Sequence, residues 1–478
     1  MRLSDLLHAV PTLDVSGTTD RAVSTVTDRD ADAAADAVFV AIRGARVDGH
    51  DRVAALHGAA AVVVERPVVA PAGVTVIRVA DTRAALAHLS AAWRGHPARA
   101  VPVVGITGTN GKTSTSFLLA AMARAAGRRA GIIGTTGHFI DDTRLPAAHT
   151  TPDAPTTQGL LASMRDAGVG LVAMEASSIG LAAHRCDGIV FKAAVFTNLT
   201  RDHLDWHGTM DAYAAAKARL FHELLDGTAV LNARDPAAVR MAPTNRPIWW
   251  FNGEDLRAEA EVHSPAGTTA RWVTPLGAFE AHLPLIGRHN VDNALGALGA
   301  ALALGVPLDA CAVGLSTIPA IPGRLEAVPN DRGITVLIDY AHTDDALARV
   351  LDELRAVGAA RVLTVFGCGG DRDRGKRPLM GAAAAARSAH CWITADNPRS
   401  EDPLDIVADI LPGVGAAPHT VELDRAAAIR AAIAAARPGD VVLVAGKGHE
   451  ATQTIGDRVL PFDDRAVARE ALAGGGAP

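Results

Sequence analysis

Five lysines stand in a chain of 478 residues in which Lys and Arg together number 46: Lys112, Lys192, Lys217, Lys376 and Lys447. Arginine fills the generic cationic positions, so each lysine is a candidate for what a guanidinium does not do: present a compact point charge, or lose a proton and react as an amine. Lys112 has the clearest setting. It follows Gly108-Thr109-Asn110-Gly111 and precedes Thr113 and Ser114, directly after the apolar run Val101 to Ile106. A strand, a glycine-rich turn and a helix start, in that order, make a phosphate loop. Backbone N–H groups converge on phosphate oxygens, the lysine neutralises the β/γ charge, and the Thr113 hydroxyl is a Mg²⁺ ligand. The general pattern G-x-x-x-x-G-K-[ST] wants glycine where Ile106 stands; Gly105 lies one position earlier, so the loop is a variant. A helix is expected over Phe117 to Ala126.

Further candidates sit where other apolar runs end. Glu175 follows Leu171 to Met174, and His203 closes the stretch that opens with Val195-Phe196-Thr197-Asn198. In a parallel sheet both fall on the phosphate-loop side, where a carboxylate and an imidazole suit a divalent ion held against a γ-phosphate. A satisfied structural histidine is the competing reading of His203. Lys217 lies in the helical segment Tyr213 to Phe221 beside Arg219, so retention of lysine points to a use for the amine; a solvated helix face is the plain alternative.

The last third repeats the pattern. Cys368 to Pro378 is a glycine-rich, densely charged turn containing Arg372, and Asp396-Asn397-Pro398-Arg399 follows the next apolar run. Asn397 supplies a donor and an acceptor, and Arg399 a planar fork for a carboxylate. Two arginine-bearing loops at neighbouring strand ends suit a small zwitterion, although charged turns that merely cap helices remain open. Gly446-Lys447-Gly448-His449-Glu450 ends another strand, and Glu450 complements the arginines by suiting an ammonium group. Asp339 and His342, three apart after Thr335 to Ile338, can orient a nucleotide or phosphate.

These groups require elements that present strand ends side by side. At this length two or three domains are expected. Short strands at Val38 to Ile42 and Ala59 to Val64 predict a small N-terminal α/β domain over 1–98, bounded by the linker Gly95 to Pro102. Recurrent strands and helices predict a central P-loop-type ATPase domain with a parallel sheet over 99–322, with Ala229 to Leu285 read as a sheet extension and a helix around Asn290 to Leu304. Strands at Val362 to Phe366, Cys391 to Thr394 and Val441 to Ala445 predict a Rossmann-like α/β domain over 323–478. Apolar residues make up 49% and charged residues 21%, with a net charge of −6, so no basic footprint for nucleic acid exists. Four widely spaced cysteines without a C-x-x-C pair fit neither a disulfide framework nor a zinc site. With no sustained apolar leader or span, a cytoplasmic protein that does not enter the membrane is expected, most simply a monomer.

Taken in order, these stretches resemble the Mur ligases, in particular the MurE-type branch that adds meso-diaminopimelate to UDP-N-acetylmuramoyl-L-alanyl-D-glutamate. The resemblance runs from about Val38 to Phe462. Its carriers are Gly108 to Thr113, Thr197-Asn198-Leu199 with Asp202-His203-Leu204-Asp205, Asp339 to Thr343, Gly369 to Pro378, Asp396 to Arg399 and Gly446 to Glu450. The resemblance implies ATP as co-substrate and Mg²⁺ as cofactor. It implies that Lys217 is carried as a carbamate (N6-carboxylysine), holding Mg²⁺ with Glu175 and His203. It assigns Thr150, Thr151, Ser177 and Arg185 to the UDP-muramoyl-dipeptide, and Asn290, Arg324 and Asp339 to the ATP base and ribose. Arg372, Asp396, Asn397, Arg399, Gly446 and Glu450 fall to diaminopimelate. The implied chemistry is formation of an acyl phosphate on the D-glutamyl γ-carboxylate, then its displacement by the amine. Closure of the third block onto the second is an expected step.

The chain departs from the family on the acceptor side. Ser177-Ser178-Ile179 stands where Ser-Ser-His is usual, Ala183 where glutamine is usual, and Thr27-Asp28-Arg29 where Asp-Ser-Arg is usual. These departures motivate a second reading, a paralogue joining diaminopimelate or another amine to a different carboxylate. A non-catalytic nucleotide-binding or scaffold protein is a third; Lys112, Glu175, His203 and Lys217 argue against it. Lys192 matches no motif.

Overall fold

Gly105 explains how the central sheet receives its helices. A computed structural model describes residues 1–33, 35–44, 47–264 and 266–474. In it Val103–Thr107 is a fully buried strand, and a Cβ at Gly105 would press on Leu220 and Phe191. Glycine there lets the segment after helix Met210–Arg219 pack directly on the strand, which brings Lys217 close to the phosphate loop. The departure from the general loop pattern is thus a packing feature.

The chain divides into two compact units: Met1–Arg257 with Thr274–Leu276 and Leu295–Gly314, and Ala258–Val273 with Gly277–Ala294 and everything from Leu315 on. The first unit holds two sheets. Its N-terminal sheet has five strands in the order Asp14–Ser16, Thr75–Arg78, Ala61–Val64, Ala37–Val40 and Thr25–Thr27. Its larger sheet has eight, in the order Ile248–Phe251, Leu225–Asn232, Phe191–Phe196, Val103–Thr107, Leu171–Glu175, Ala130–Gly134, Gly137–Ile140 and Thr143–Leu145. The first six run parallel, and the last two turn back as antiparallel strands. Their near-continuous apolar composition is what burial on both faces demands. Val103–Thr107 has Leu171–Glu175 on one side and Phe191–Phe196 on the other, so the strand order reverses there. Such a switch point opens a crevice at the carboxyl ends.

The second unit contains a six-stranded sheet ordered Glu326–Ala327, Thr335–Asp339, Val441–Ala445, Val362–Phe366, His390–Ile393 and His419–Val421, parallel except for its first member. Helices Asp344–Ala356, Lys376–Ala385 and Pro403–Val414 contribute to the core on one face, and Arg425–Ala435 and Asp464–Ala473 to the core on the other. The alanine-rich run Gly381 to Ala385 lies within Lys376–Ala385. The expected sheet extension over Ala229 to Leu285 divides. Leu225–Asn232 and Ile248–Phe251 join the large sheet, whereas Arg257–Ser264, Gly267–Thr274 and Gly277–Leu283 form a separate antiparallel sheet. Alternating exposure along Gly267–Thr274 explains this: period-2 burial suits a one-sided meander, not a strand enclosed by helices. The helix expected from Phe117 already begins at Lys112, because Gly111, at φ +89°, turns the chain into it.

Candidate active site

The phosphate loop, Glu175 and Lys217 meet at the carboxyl ends of adjacent strands. Parallel pairing sets Glu175 beside Ile106, Phe196 beside Thr107 and Met174 beside Ile133, so the residues that follow share one rim. Thr113 Oγ1 donates to Glu175 Oε1 at 3.0 Å, and Glu175 is 1% exposed. The same carboxylate accepts from Thr135 N at 3.0 Å and Thr135 Oγ1 at 2.9 Å. A Cβ at Gly134 would overlap Glu175 Oε1, so glycine is required for this approach. At Gly108, φ +152°, a Cβ would overlap the Thr197 hydroxyl.

The loop carries two lysines. Lys112 Nζ folds over it, donating to the carbonyls of Gly108 and Thr109 at 2.8 Å each. Lys217 is 1% exposed and donates to the Gly108 carbonyl at 2.8 Å. Burial, then the nearby Lys112 charge, pushes the Lys217 amine well below the ordinary lysine range. Its Nζ lies 4.4 Å from the centre of the Tyr213 ring, whose hydroxyl reaches Thr109 Oγ1 at 3.1 Å. His203, at φ +53°, stands against the same tyrosine with ring centres 6.1 Å apart, and its Nε2 lies 3.5 Å from Asp202. Burial lowers its pKa, so the imidazole is neutral at pH 7. Asn110 and Thr109 are held from the neighbouring strand end: Asn198 Oδ1 accepts from Asn110 N, and the Asn198 carbonyl from Thr109 N. Ser114 is buried in the first turn of the helix.

The residues assigned to the acceptor gather on the other side of Glu175. Thr151 Oγ1 donates to the Glu175 carbonyl at 2.7 Å and meets Ser177 Oγ at 3.0 Å, Arg185 donates to the Thr151 carbonyl at 2.9 Å, and Thr150 meets Thr135 at 2.9 Å. Beside Ile179, Ser178 hydrogen-bonds His207 Nε2 at 3.0 Å. Thr27, Asp28 and Arg29 line a cavity of about 350 Å³ with Trp93, Arg94 and Asp153. Burial, then Asp153, raises the pKa of Asp28.

The second unit carries the other assigned residues. Asp339 is buried and accepts from Leu325 N at 2.7 Å and Ala341 N at 2.8 Å. Burial raises its pKa, and Arg324 opposes the shift. Arg324 lies over the Tyr340 ring at 4.9 Å, and Tyr340 stacks near His342 at 4.7 Å. Asn290 caps its own turn through Ile286 and receives Asn293. Further along the sheet rim, Asn397 Nδ2 donates to Glu450 Oε2 at 2.9 Å. Arg399 Nη1 donates to the Gly370 carbonyl at 2.7 Å, and Arg399 and Arg372 both border Gly369. Gly446, at φ +114°, leaves room for Asp396, whose pKa burial raises.

Thr135 and Tyr213 had no place in the sequence reading. Thr135 was accessible to it: Gly134-Thr135-Thr136-Gly137 is a strand-end turn like those singled out. Lys376 donates to the His342 carbonyl at 2.8 Å, and Lys192 pairs with Asp226 at 3.0 Å on the surface, a structural role that accounts for it. The four cysteines are free and buried.

A Mg²⁺ fit can be judged from the donors. Thr113 and Glu175 bring a hydroxyl and a carboxylate to the phosphate loop, hard oxygen ligands that suit this ion. Among the described residues no cluster of three His, Cys, Asp or Glu side chains stands alone as a metal site, so phosphate oxygens would have to complete the shell.

A parallel-sheet phosphate loop backed by a buried carboxylate and lysine, with a second α/β sheet in the chain, defines a ligase architecture of known kind. The chain belongs to the Mur ligase family: models of that family match residues 31–94 (catalytic domain), 106–301 (middle domain) and 323–448 (glutamate ligase domain). It is 43% identical over 495 residues to the UDP-N-acetylmuramoyl-L-alanyl-D-glutamate--2,6-diaminopimelate ligase of Geobacter metallireducens, covering 97% of each chain. It is 45% identical over 446 residues to the ligase of the same name from Gloeobacter violaceus, covering 91% of each. A solved structure of a ligase of that name superposes with TM-score 0.72 at 32% identity over 100% of both chains. The MurF ligase of Thermotoga maritima in complex with ADP shares the fold, with TM-score 0.63 at 20% identity, covering 94% of this chain and 96% of that one.

Proposed function

We propose that this chain couples ATP cleavage to amide formation, joining meso-diaminopimelate to the D-glutamyl γ-carboxylate of UDP-N-acetylmuramoyl-L-alanyl-D-glutamate, a step of peptidoglycan precursor synthesis. The observation that carries this reading is the presence in one chain of a phosphate loop backed by Glu175 and Lys217 and of an Asn397–Glu450 pair accompanied by Arg399 and Arg372. The γ-carboxylate attacks the ATP γ-phosphate and releases ADP, while Lys112 turns its ammonium from the loop carbonyls to the phosphate oxygens. The amine of diaminopimelate then adds to the acyl carbon, and the tetrahedral intermediate expels phosphate. Fixed charges and orientation supply most of the rate.

Thr113, Glu175, His203 and Lys217 are the residues that would hold Mg²⁺, which when bound neutralises charge on the transferring phosphoryl group. Lys217 enters this set as a carbamate. Its depressed pKa favours the neutral amine, whose addition to CO₂ forms an N–C bond, releases a proton and leaves a carboxylate. Arginine cannot do this. Thr150, Thr151, Ser177 and Arg185 face the acceptor, and Asn290, Arg324, Asp339 and His342 the nucleotide. The guanidinium forks of Arg372 and Arg399 suit the carboxylates of the zwitterion, and Glu450 its ammonium. We place the reaction in the cytoplasm, where ATP is supplied; no helix among the described residues is long and apolar enough to cross a membrane.

The reading with a different acceptor is not favoured, since relatives 41–45% identical carry the diaminopimelate ligase name over 91–98% of the chain. Incubation with ATP, Mg²⁺, meso-diaminopimelate and the UDP-muramoyl-dipeptide should release ADP and yield the UDP-muramoyl-tripeptide. No tripeptide with this acceptor would sink the assignment.

A further inference from the structure

Lys447 is the one fully withdrawn lysine of the second unit, at 0% exposure. A buried ammonium is costly unless its hydrogen bonds are met. Here they are met three times: by Asn397 Oδ1 at 3.2 Å, Glu450 Oε2 at 3.2 Å and the Thr452 carbonyl at 2.6 Å, with Asp396 Oδ1 at 3.9 Å. The three protons of the ammonium therefore have three acceptors, two of them on residues of the amino-acid pocket.

This arrangement dictates the state of both partners. Asn397 Oδ1 accepts from Lys447 and from Thr454 N at 2.9 Å, so its Nδ2 must face Glu450 Oε2. The flipped amide would set an NH₂ group against an ammonium and a backbone N–H. Glu450 Oε2 is thereby engaged twice, and with the side chain 33% exposed, Oε1 is the oxygen left to a ligand. A guanidinium at this position would need a planar fork where the Thr452 carbonyl already approaches to 2.6 Å.

We propose that Lys447 is a positioning residue: its buried ammonium locks the Asn397 amide in one orientation and pins one oxygen of Glu450, holding the other for the ammonium group of diaminopimelate. This rests on the diaminopimelate reading above. The role separates Lys447 from Lys217, whose amine reacts, and from Lys112, whose charge meets phosphate.

The test is steady-state kinetics on the full chain with ATP, Mg²⁺ and UDP-muramoyl-dipeptide, varying diaminopimelate, for wild type, Lys447→Met, Glu450→Gln and the double variant. Lys447→Met should raise the KM for diaminopimelate roughly tenfold, while kcat and the KM for ATP move by less than about threefold. In the Glu450→Gln background the same change should add less than about twofold, because the ammonium acts through that carboxylate. Independent, multiplicative effects of the two substitutions overturn the proposal. So does a Lys447→Met variant with lowered Tm and kcat but an unchanged KM for diaminopimelate. If Lys447→Met does not fold, Lys447→Gln is read by the same criteria. A wild type without diaminopimelate-dependent turnover overturns both the substrate reading and this inference; an active wild type with the wrong variant pattern overturns the inference alone.

Discussion

Lys217 shows how much one side chain owes to its surroundings. In the sequence it is a lysine on a helix; in the fold it is buried, bonded to the Gly108 carbonyl and shifted toward the neutral amine. If the amine is carbamylated as proposed, Lys217→Ala should cut turnover by at least about 100-fold, and a short carboxylic acid should restore part of it. Lys217→Arg should be as inactive and beyond rescue, because the guanidinium fills the space without supplying a carboxylate. Unchanged turnover in Lys217→Ala would remove the residue from the site. Gly134 makes a second residue-scale case. Its missing side chain is what lets Glu175 close on Thr135, so Gly134→Ala should lower kcat at least about tenfold and lower Tm as well, because the displaced buried carboxylate loses hydrogen bonds. A fold-neutral and fully active Gly134→Ala would show that this carboxylate does not need its observed position.

At the scale of elements, the pocket loops of the second unit rest on the last helices. Arg425 and Asp464 form a wholly buried pair, with Nε to Oδ1 at 2.8 Å and Nη2 to Oδ2 at 2.7 Å, and Arg425 also donates to the Ala445 carbonyl just before Gly446. The pair ties helices Arg425–Ala435 and Asp464–Ala473 to the end of strand Val441–Ala445. Removing one partner strands a buried charge, so Arg425→Ala or Asp464→Ala should cost about 3–5 kcal/mol by denaturant titration. The double change Arg425→Met with Asp464→Leu should cost much less, since no charge is left unpaired. Strand Val441–Ala445, between these helices, was legible as an apolar run. The pairing was not, because the two residues lie 39 positions apart and only the docked helices bring them together.

At the scale of the whole molecule, four reduced cysteines are sealed in the cores. Burial pushes the thiols of Cys186, Cys311 and Cys368 up to about 12 and that of Cys391 up to about 11. Native protein at pH 8 should therefore react with an aromatic disulfide reagent only as fast as it opens, whereas denatured protein should yield all four thiols at once. Rapid modification of the native chain would contradict the burial.

The contiguous motifs were decided by sequence alone: strand, glycine turn and lysine at 103–113, and the strand-end loops at 396–399 and 446–450. Backbone geometry and side-chain chemistry over a few residues are local properties, and the parallel-strand signal is a run of apolar residues. What only the tertiary structure decided is which strand ends are neighbours. That put Thr135 on Glu175 and Lys447 between Asn397 and Glu450, gave Gly105 its packing role, and split the stretch after Leu225 between two sheets. Those outcomes follow from strand order and burial, which sum over contacts far apart in the chain. The same burial shifts Lys217 away from an ordinary cation and toward the neutral amine.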